Sequence, residues 1–293
     1  MKSGFVSLIG RPNVGKSTLL NTLINEKIAI TSKVAGTTRN IIQGIYNEPN
    51  YQIVFMDTPG IIKPINKLGR VTNKQAMSLV KDIDCLLFVV DASAGIGKGD
   101  RYIIDILKKT ESPVILVLNK IDKLSNEEIM FSINEYKDLY PFQDIVPVSA
   151  LSKDNVTRLI QVIKHYLKDE VRYFDPSIKT SNSKYFMVSE TVREKLFNVT
   201  VEEIPHSLTC QTVFFEEKKD IINVHVDIIV DRDTIKKIII GKKGDRLKVI
   251  GTAARIELEN YFKKKVYLEL YVKTVKNWKD KERYIKELGF FDF

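Results

Sequence analysis

Eight residues near the N-terminal end constrain this chain more than any bulk property. Gly10-Arg11-Pro12-Asn13-Val14-Gly15-Lys16-Ser17 matches G-x-x-x-x-G-K-[ST], follows the apolar run FVSLIG and opens the helix-period segment KSTLLNTLIN. A loop of this composition between a strand and a helix gathers main-chain N–H groups around a phosphate, and the helix N-terminus adds a favourable dipole. A simple glycine turn explains Gly10 and Gly15 but not Lys16 and Ser17 beside them. Gly10, Asn13, Val14, Gly15, Lys16, Ser17 and Thr18 are therefore expected around a nucleotide. Lys16 would reach the β- and γ-phosphates, and the Ser17 hydroxyl would hold Mg²⁺.

From residue 4 to about 168, near-continuous apolar runs (FVSLIG, YQIVFMD, CLLFVVD, VILVLN, IVPVS) alternate with segments of helical period. That alternation predicts an α/β fold, a doubly wound, mostly parallel sheet over residues 1–170. Residues 171–183, with a proline among small polar residues, read as a linker. Residues 184–293 then change order to helix, two strands, helix, glycine turn, helix, strand, which is a smaller α+β domain. At 293 residues the chain has length enough for two cores.

Three further motifs fall at predicted strand ends, where a doubly wound sheet puts its ligands. Asp57-Thr58-Pro59-Gly60 follows IVFM: Asp57 suits a water-mediated Mg²⁺ contact and the Gly60 N–H a γ-phosphate. Asn119-Lys120-Ile121-Asp122 follows VILVL, and its carboxylate selects the base. Asp122 can accept from both N1–H and the 2-amino group of guanine, a donor pair that adenine lacks. Asn119 would support the loop, Lys120 cover the ring face, and Ser149-Ala150-Leu151 present the Ala150 N–H to guanine O6. Together these motifs resemble the translation-factor-like branch of P-loop GTPases. That resemblance implies that Ala35-Gly36-Thr37-Thr38-Arg39 is the first switch loop, with Thr38 on Mg²⁺ when GTP is bound. Lys16, Thr38, Gly60 and Asn13 are then the expected catalytic set.

Position 61 is isoleucine, where many GTPases carry a glutamine that orients the attacking water. Either turnover is slow and needs an activator, or another device substitutes. GTPases with a similar loop asparagine hold K⁺ beside the phosphates, so Asn13 is the expected K⁺ ligand and hydrolysis is expected to be K⁺-stimulated.

The formal charge of +9 is concentrated: residues 232–248 hold seven basic and two acidic residues. Within that stretch Gly241-Lys242-Lys243-Gly244 follows the apolar run Ile238-Ile239-Ile240 and precedes DRLKVIGTAARIELENYF. The pattern resembles a type II KH domain, whose G-x-x-G loop clamps the backbone of single-stranded RNA. Lys242, Lys243, Arg246 and Lys248 would supply salt-dependent attraction, with Lys236 and Lys237 either extending the patch or forming a solvated helix face. No eighteen-residue apolar span occurs, and no secretory leader is read at the N-terminal end, so a cytoplasmic chain is expected. Cys85 and Cys210, both in apolar runs, read as buried reduced thiols.

The C-terminal segments YFMVSETVREKLF, IIIGKKGDRLKVIGTAARIELE and VYLELYVKTVKNWKDKERYIKELGF, joined to one G domain, resemble a family of bacterial ribosome-assembly GTPases along essentially the whole chain. The resemblance implies GTP and GDP as ligands, 16S rRNA near its 3′ end and the small (30S) subunit as partners, no DNA, and peripheral contact with the inner membrane face. Asn40, after the Thr-Thr-Arg triplet, is the one departure noted from that pattern. Two other readings compete: an RNA scaffold with vestigial hydrolysis, and a tRNA-modification GTPase, which would carry a C-terminal cysteine and a folate-type domain that this chain lacks.

Overall fold

The computed structural model describes residues 1–80, 83–200 and 202–290. The chain divides into two compact units: Met1–Ile65, Gly69–Ser181 and Phe290 form one, and Asn66–Leu68 with Asn182–Gly289 the other.

The first unit is a six-stranded sheet in the order β2-β3-β1-β4-β5-β6. Its strands are β1 (Lys2–Ile9), β2 (Ile42–Glu48), β3 (Tyr51–Asp57), β4 (Cys85–Asp91), β5 (Val114–Asn119) and β6 (Asp144–Pro147). All neighbours are parallel except β2 and β3. The interleaved helices are α1 (Lys16–Ile24), α2 (Lys67–Ser78, in this unit from Gly69 on), α3 (Lys98–Leu107), α4 (Asn126–Lys137) and α5 (Val156–Lys164). Every residue of β5 and the first six of β4 are buried, as strands covered by helices on both faces must be. One of the two helix layers seals Phe88, Leu116 and Leu118 under Ile103, Leu107 and Tyr136. Local chemistry sets helix starts: Ser125 Oγ accepts from Glu128 N–H at 3.3 Å while Glu128 Oε2 accepts from Ser125 N–H at 2.7 Å, a reciprocal cap for α4. The helical-period segment RVTNKQAMSLVKD predicts a helix over 70–82; α2 starts earlier, at Lys67, and Lys81 and Asp82 lie outside the described residues.

Residues 171–181, part of the segment 171–183 read from sequence as linker, pack on the sheet: 171–174 bond to β1 and β3, and 176–181 run along the outer edge of β2. Ile45 N–H donates to Lys179 O at 2.8 Å, and Thr180 Oγ1 donates to Gln43 O at 2.7 Å. Gln52, fully buried on β3, accepts from Tyr173 and Phe174 N–H at 2.7 and 3.0 Å and donates to Phe174 O at 2.8 Å. The strap thereby satisfies main-chain groups that an open edge strand would leave bare.

The second unit contains α6 (Lys184–Val199), β7 (Leu208–Glu217), β8 (Ile221–Val230), α7 (Asp233–Ile240), α8 (Asp245–Phe262), β9 (Lys265–Thr274) and α9 (Glu282–Glu287). β7 and β8 pair antiparallel, β8 and β9 parallel. Alternate β8 residues Ile222, Val224, Val226, Ile228 and Val230 are buried, and α6 and α8 pack on each other and against the sheet. After β9, Trp278 is fully buried with Nε1–H donating to Ser207 O at 3.1 Å, which ties the C-terminal segment back to the start of β7. Cys85 is buried in β4 and Cys210 half-buried in β7, and burial pushes the Cys85 thiol well above its ordinary range. Among the described residues no helix is long and apolar enough to cross a membrane.

Candidate nucleotide site and basic loop

In the first unit, the loops after β1, β3, β5 and β6 meet at the ends of the parallel strands. Gly15 opens α1 at φ +98°, and a Cβ there would stand 2.3 Å from Asn119 Nδ2, so the position admits only glycine. Lys16 is 6% exposed; its ammonium donates to Gly10 O at 3.1 Å and Arg11 O at 2.8 Å. Burial lowers its pKa to about 8, against the opposing pull of Asp57. A cavity of about 310 Å³ opens over this loop, lined among others by Asn13, Gly15, Lys16, Ser17, Thr18, Thr38, Gly60 and Lys120. Asp122, Ser149, Ala150 and Leu151 do not line it.

Ser17, Thr38 and Asp57, separate in sequence, come together. Ser17 Oγ donates to Asp57 Oδ2 at 2.5 Å and lies 2.8 Å from Thr38 Oγ1, which also reaches Asp57 Oδ2 at 3.4 Å. Asp57 is fully buried, and burial pushes its pKa up to about 6 although Lys16, Ser17 and Thr38 pull the other way. Its second oxygen, Oδ1, is buried with no hydrogen-bond partner among the described residues. Two hydroxyls and a carboxylate with an unpaired oxygen form the hard-oxygen set that Mg²⁺ takes, so these residues fit that ion.

Base-side residues are braced by one another. Asn119 Nδ2–H donates to Val14 O at 2.9 Å and Asn119 Oδ1 accepts from Ala150 N–H at 3.0 Å, joining three loops through one amide. Asp122 Oδ1 accepts from Ser149 Oγ at 2.6 Å, and Leu151 stands 79% exposed just beyond. Lys120 sits at φ +67° and its ammonium donates to Asn13 O at 2.7 Å and Asp91 Oδ2 at 2.6 Å. Asn13 itself is at φ +64° with Nδ2–H donating to Lys33 O at 2.8 Å.

Sequence reasoning missed two carboxylates here. Asp91, at the end of β4, fixes Lys120, and Asp100, fully buried at the start of α3, accepts from Arg11 Nε at 2.8 Å. A D-A-S triplet after a buried strand was the available signal for the first; nothing local marks the second. Ile61 is 1% exposed and packs in the core with Ile9 and Phe88, so its side chain is turned away from the phosphate cavity.

In the second unit, Gly241 (φ +74°), Lys243 (φ +53°) and Gly244 (φ +84°) make a tight turn between α7 and α8 with Lys242 and Lys243 exposed. Arg246, expected at RNA, donates through Nη1 to Ile238 O at 2.9 Å and so closes this turn onto α7. Beside the turn runs an open groove of about 430 Å³ lined by Gly244, Leu247, Lys248, Gly251, Thr252, Arg255, Leu268, Glu269 and Leu270. Gly251 was not singled out from sequence, yet a Cβ there would already touch Leu270 at 3.4 Å, and the missing side chain keeps the groove floor low. Lys236 lies over the Tyr271 ring at 5.7 Å rather than beside the turn.

Comparison with known proteins agrees with both units. Residues 5–120 match the family described as 50S ribosome-binding GTPase, and residues 203–279 match the KH domain. GTPase Era of Clostridium kluyveri is 43% identical over 291 residues, 99% of either chain. The crystal structure of an Era variant of Aquifex aeolicus bound to GDP and AlF4⁻ superposes with a TM-score of 0.96 at 39% identity, covering 99% of both chains. The same values hold for Era in complex with MgGDPNP and nucleotides 1506–1542 of 16S ribosomal RNA.

Proposed function

This chain belongs to the Era family of GTPases, and from that premise we infer a GTP-hydrolysing switch whose KH domain holds 16S rRNA near its 3′ end while the small subunit matures. The observation that carries this reading is the meeting of Ser17, Thr38 and Asp57, because it joins a switch-loop residue to two residues of the phosphate site. When the γ-phosphate is present, Thr38 is held there; when it leaves, Thr38 loses its reason to stay, and the loop behind it is released.

Each residue has a part in that cycle. Lys16 exchanges its two carbonyl partners for phosphate oxygens, and the N–H groups of Asn13 to Thr18 surround the phosphates. Bound Mg²⁺ supplies charge neutralisation between the β- and γ-phosphates. Gly60 offers its N–H to the γ-phosphate, Asp122 reads guanine, and Ala150 N–H, Leu151 and Lys120 complete the base pocket. Since Ile61 is buried, water is positioned by other groups. Asn13 would hold a K⁺ ion through its amide oxygen, and that ion would supply the charge that an arginine finger brings elsewhere. Hydrolysis faster in K⁺ than in Na⁺ buffer is the expected result; equal rates remove K⁺ from the mechanism.

On the RNA side, Gly241 and Gly244 admit a phosphate backbone closely, Lys242, Lys243 and Lys248 attract it, and Arg246 holds the turn. Residues 1–170 act as the G domain and 184–293 as the RNA-binding domain, in a cytoplasmic protein that also touches the inner membrane peripherally. Footprinting on small-subunit rRNA tests the whole reading. Protection near the 3′ end with a GTP analogue and its loss with GDP are expected; equal protection in both states would mean that the nucleotide does not switch RNA binding.

A further inference from the structure

Past Gly60 the chain leaves the phosphate site under two restraints. Ile61 N–H donates to Gly10 O at 3.2 Å, and its side chain is locked in the core. One residue on, a single side chain takes both main-chain groups of Ile62: its N–H donates to Asn73 Oδ1 at 3.4 Å, and Asn73 Nδ2–H donates to Ile62 O. Asn73 sits on α2 and is 8% exposed, so water has little access to replace these bonds. Beyond them the chain is open, with Ile62 44% and Ile65 92% exposed and Lys63 and Pro64 exposed between. Asn73 is therefore the last side-chain anchor described before a solvent-exposed stretch that would otherwise begin beside Gly60.

The chemistry of the anchor is specific. Matching a peptide N–H and C=O at once takes an acceptor and a donor on one planar group, which a carboxylate, a hydroxyl or an ammonium does not present in that spacing. We propose that Asn73 is a positioning residue for GTP hydrolysis: it ties α2 to the main chain directly after Gly60, so that the Gly60 N–H stands where the γ-phosphate is cleaved. Its effect falls on the transition state more than on nucleotide binding, because the base pocket and Lys16 do not depend on it. The link also runs in reverse, since a force that shifts α2 shifts Ile62 and, through it, Gly60.

The inference rests on the GTPase reading of the site, which the turnover of the unaltered chain checks in the same assay. Full-length Asn73→Ala and the isosteric Asn73→Asp, which keeps the acceptor but sets a carboxylate against Ile62 O, are compared for steady-state hydrolysis and for amide exchange. Expected in both are a kcat at least about fivefold lower with KM and GDP affinity within about twofold, and faster exchange at the Ile62 amide with β1 and β5 unchanged. A smaller loss of kcat in either variant overturns the proposal. So does a rise in KM as large as the fall in kcat, the pattern of a merely structural residue. Asn73→Asp fills the same volume, so the test stands if Asn73→Ala does not fold.

Discussion

In the proposed reading, guanine selection comes down to one carboxylate and the hydroxyl that aims it. Asp122 lies on an exposed loop, where Ser149 Oγ, 2.6 Å away, fixes its rotamer. Ser149→Ala is expected to weaken GDP and GTP binding by about tenfold, the size of one hydrogen bond to a charged group, while ATP stays excluded. Titration with a fluorescent guanine nucleotide measures it. Lys16→Ala has a different signature. Its ammonium holds the loop carbonyls of Gly10 and Arg11 and, in the proposed reading, the phosphates, so loss of all measurable GTP binding is expected by the same titration, and failure of subunit maturation in cells should accompany it. If maturation survives, nucleotide state is not what the protein contributes.

Elements were legible where their signals are local. The phosphate loop, D-x-x-G, N-K-x-D and G-x-x-G each announce themselves within eight residues, and the structure brings the first three to one end of the sheet. β2 was missed, and its sequence explains why. IQGIYNE carries a glycine in mid-strand, ordinarily a mark against a strand, but a Cβ at Gly44 would stand 2.7 to 2.9 Å from Ile28, Leu20 and Ile24, so α1 can pack there only over glycine. Asp91, Asp100 and Asn73 were also missed, because each is defined by a partner 11 to 89 positions away and by no motif of its own. At the basic turn the element itself makes a prediction. If Lys242 and Lys243 each neutralise one phosphate of single-stranded RNA, replacing both with Ala should lower the slope of log K against log salt by about 1.4. Filter binding over a salt series reads that slope; an unchanged slope would place the RNA elsewhere.

As a whole molecule the protein carries two cores, and only one of them contains the phosphate cavity. Mg²⁺ and GDP at 100 times the dissociation constant should stabilise the first unit by about 2.7 kcal/mol, raising its melting transition by roughly 5–10 °C. The transition of the second unit should stay put in the same calorimetric scan. RNA should do the reverse.

The strap over β2 changes where the first unit ends in practice. Composition puts the boundary at 170, but a fragment cut there strips the partners from Ile45 N–H and Gln43 O and uncovers seven residues of flat strand edge, an invitation to pair with a neighbouring molecule. Carried on to Ser181, the same fragment keeps its selvedge. Light scattering at rising concentration should find the longer piece monodisperse and the shorter one growing, so the eleven residues that look like slack rope serve as the hem of the fold.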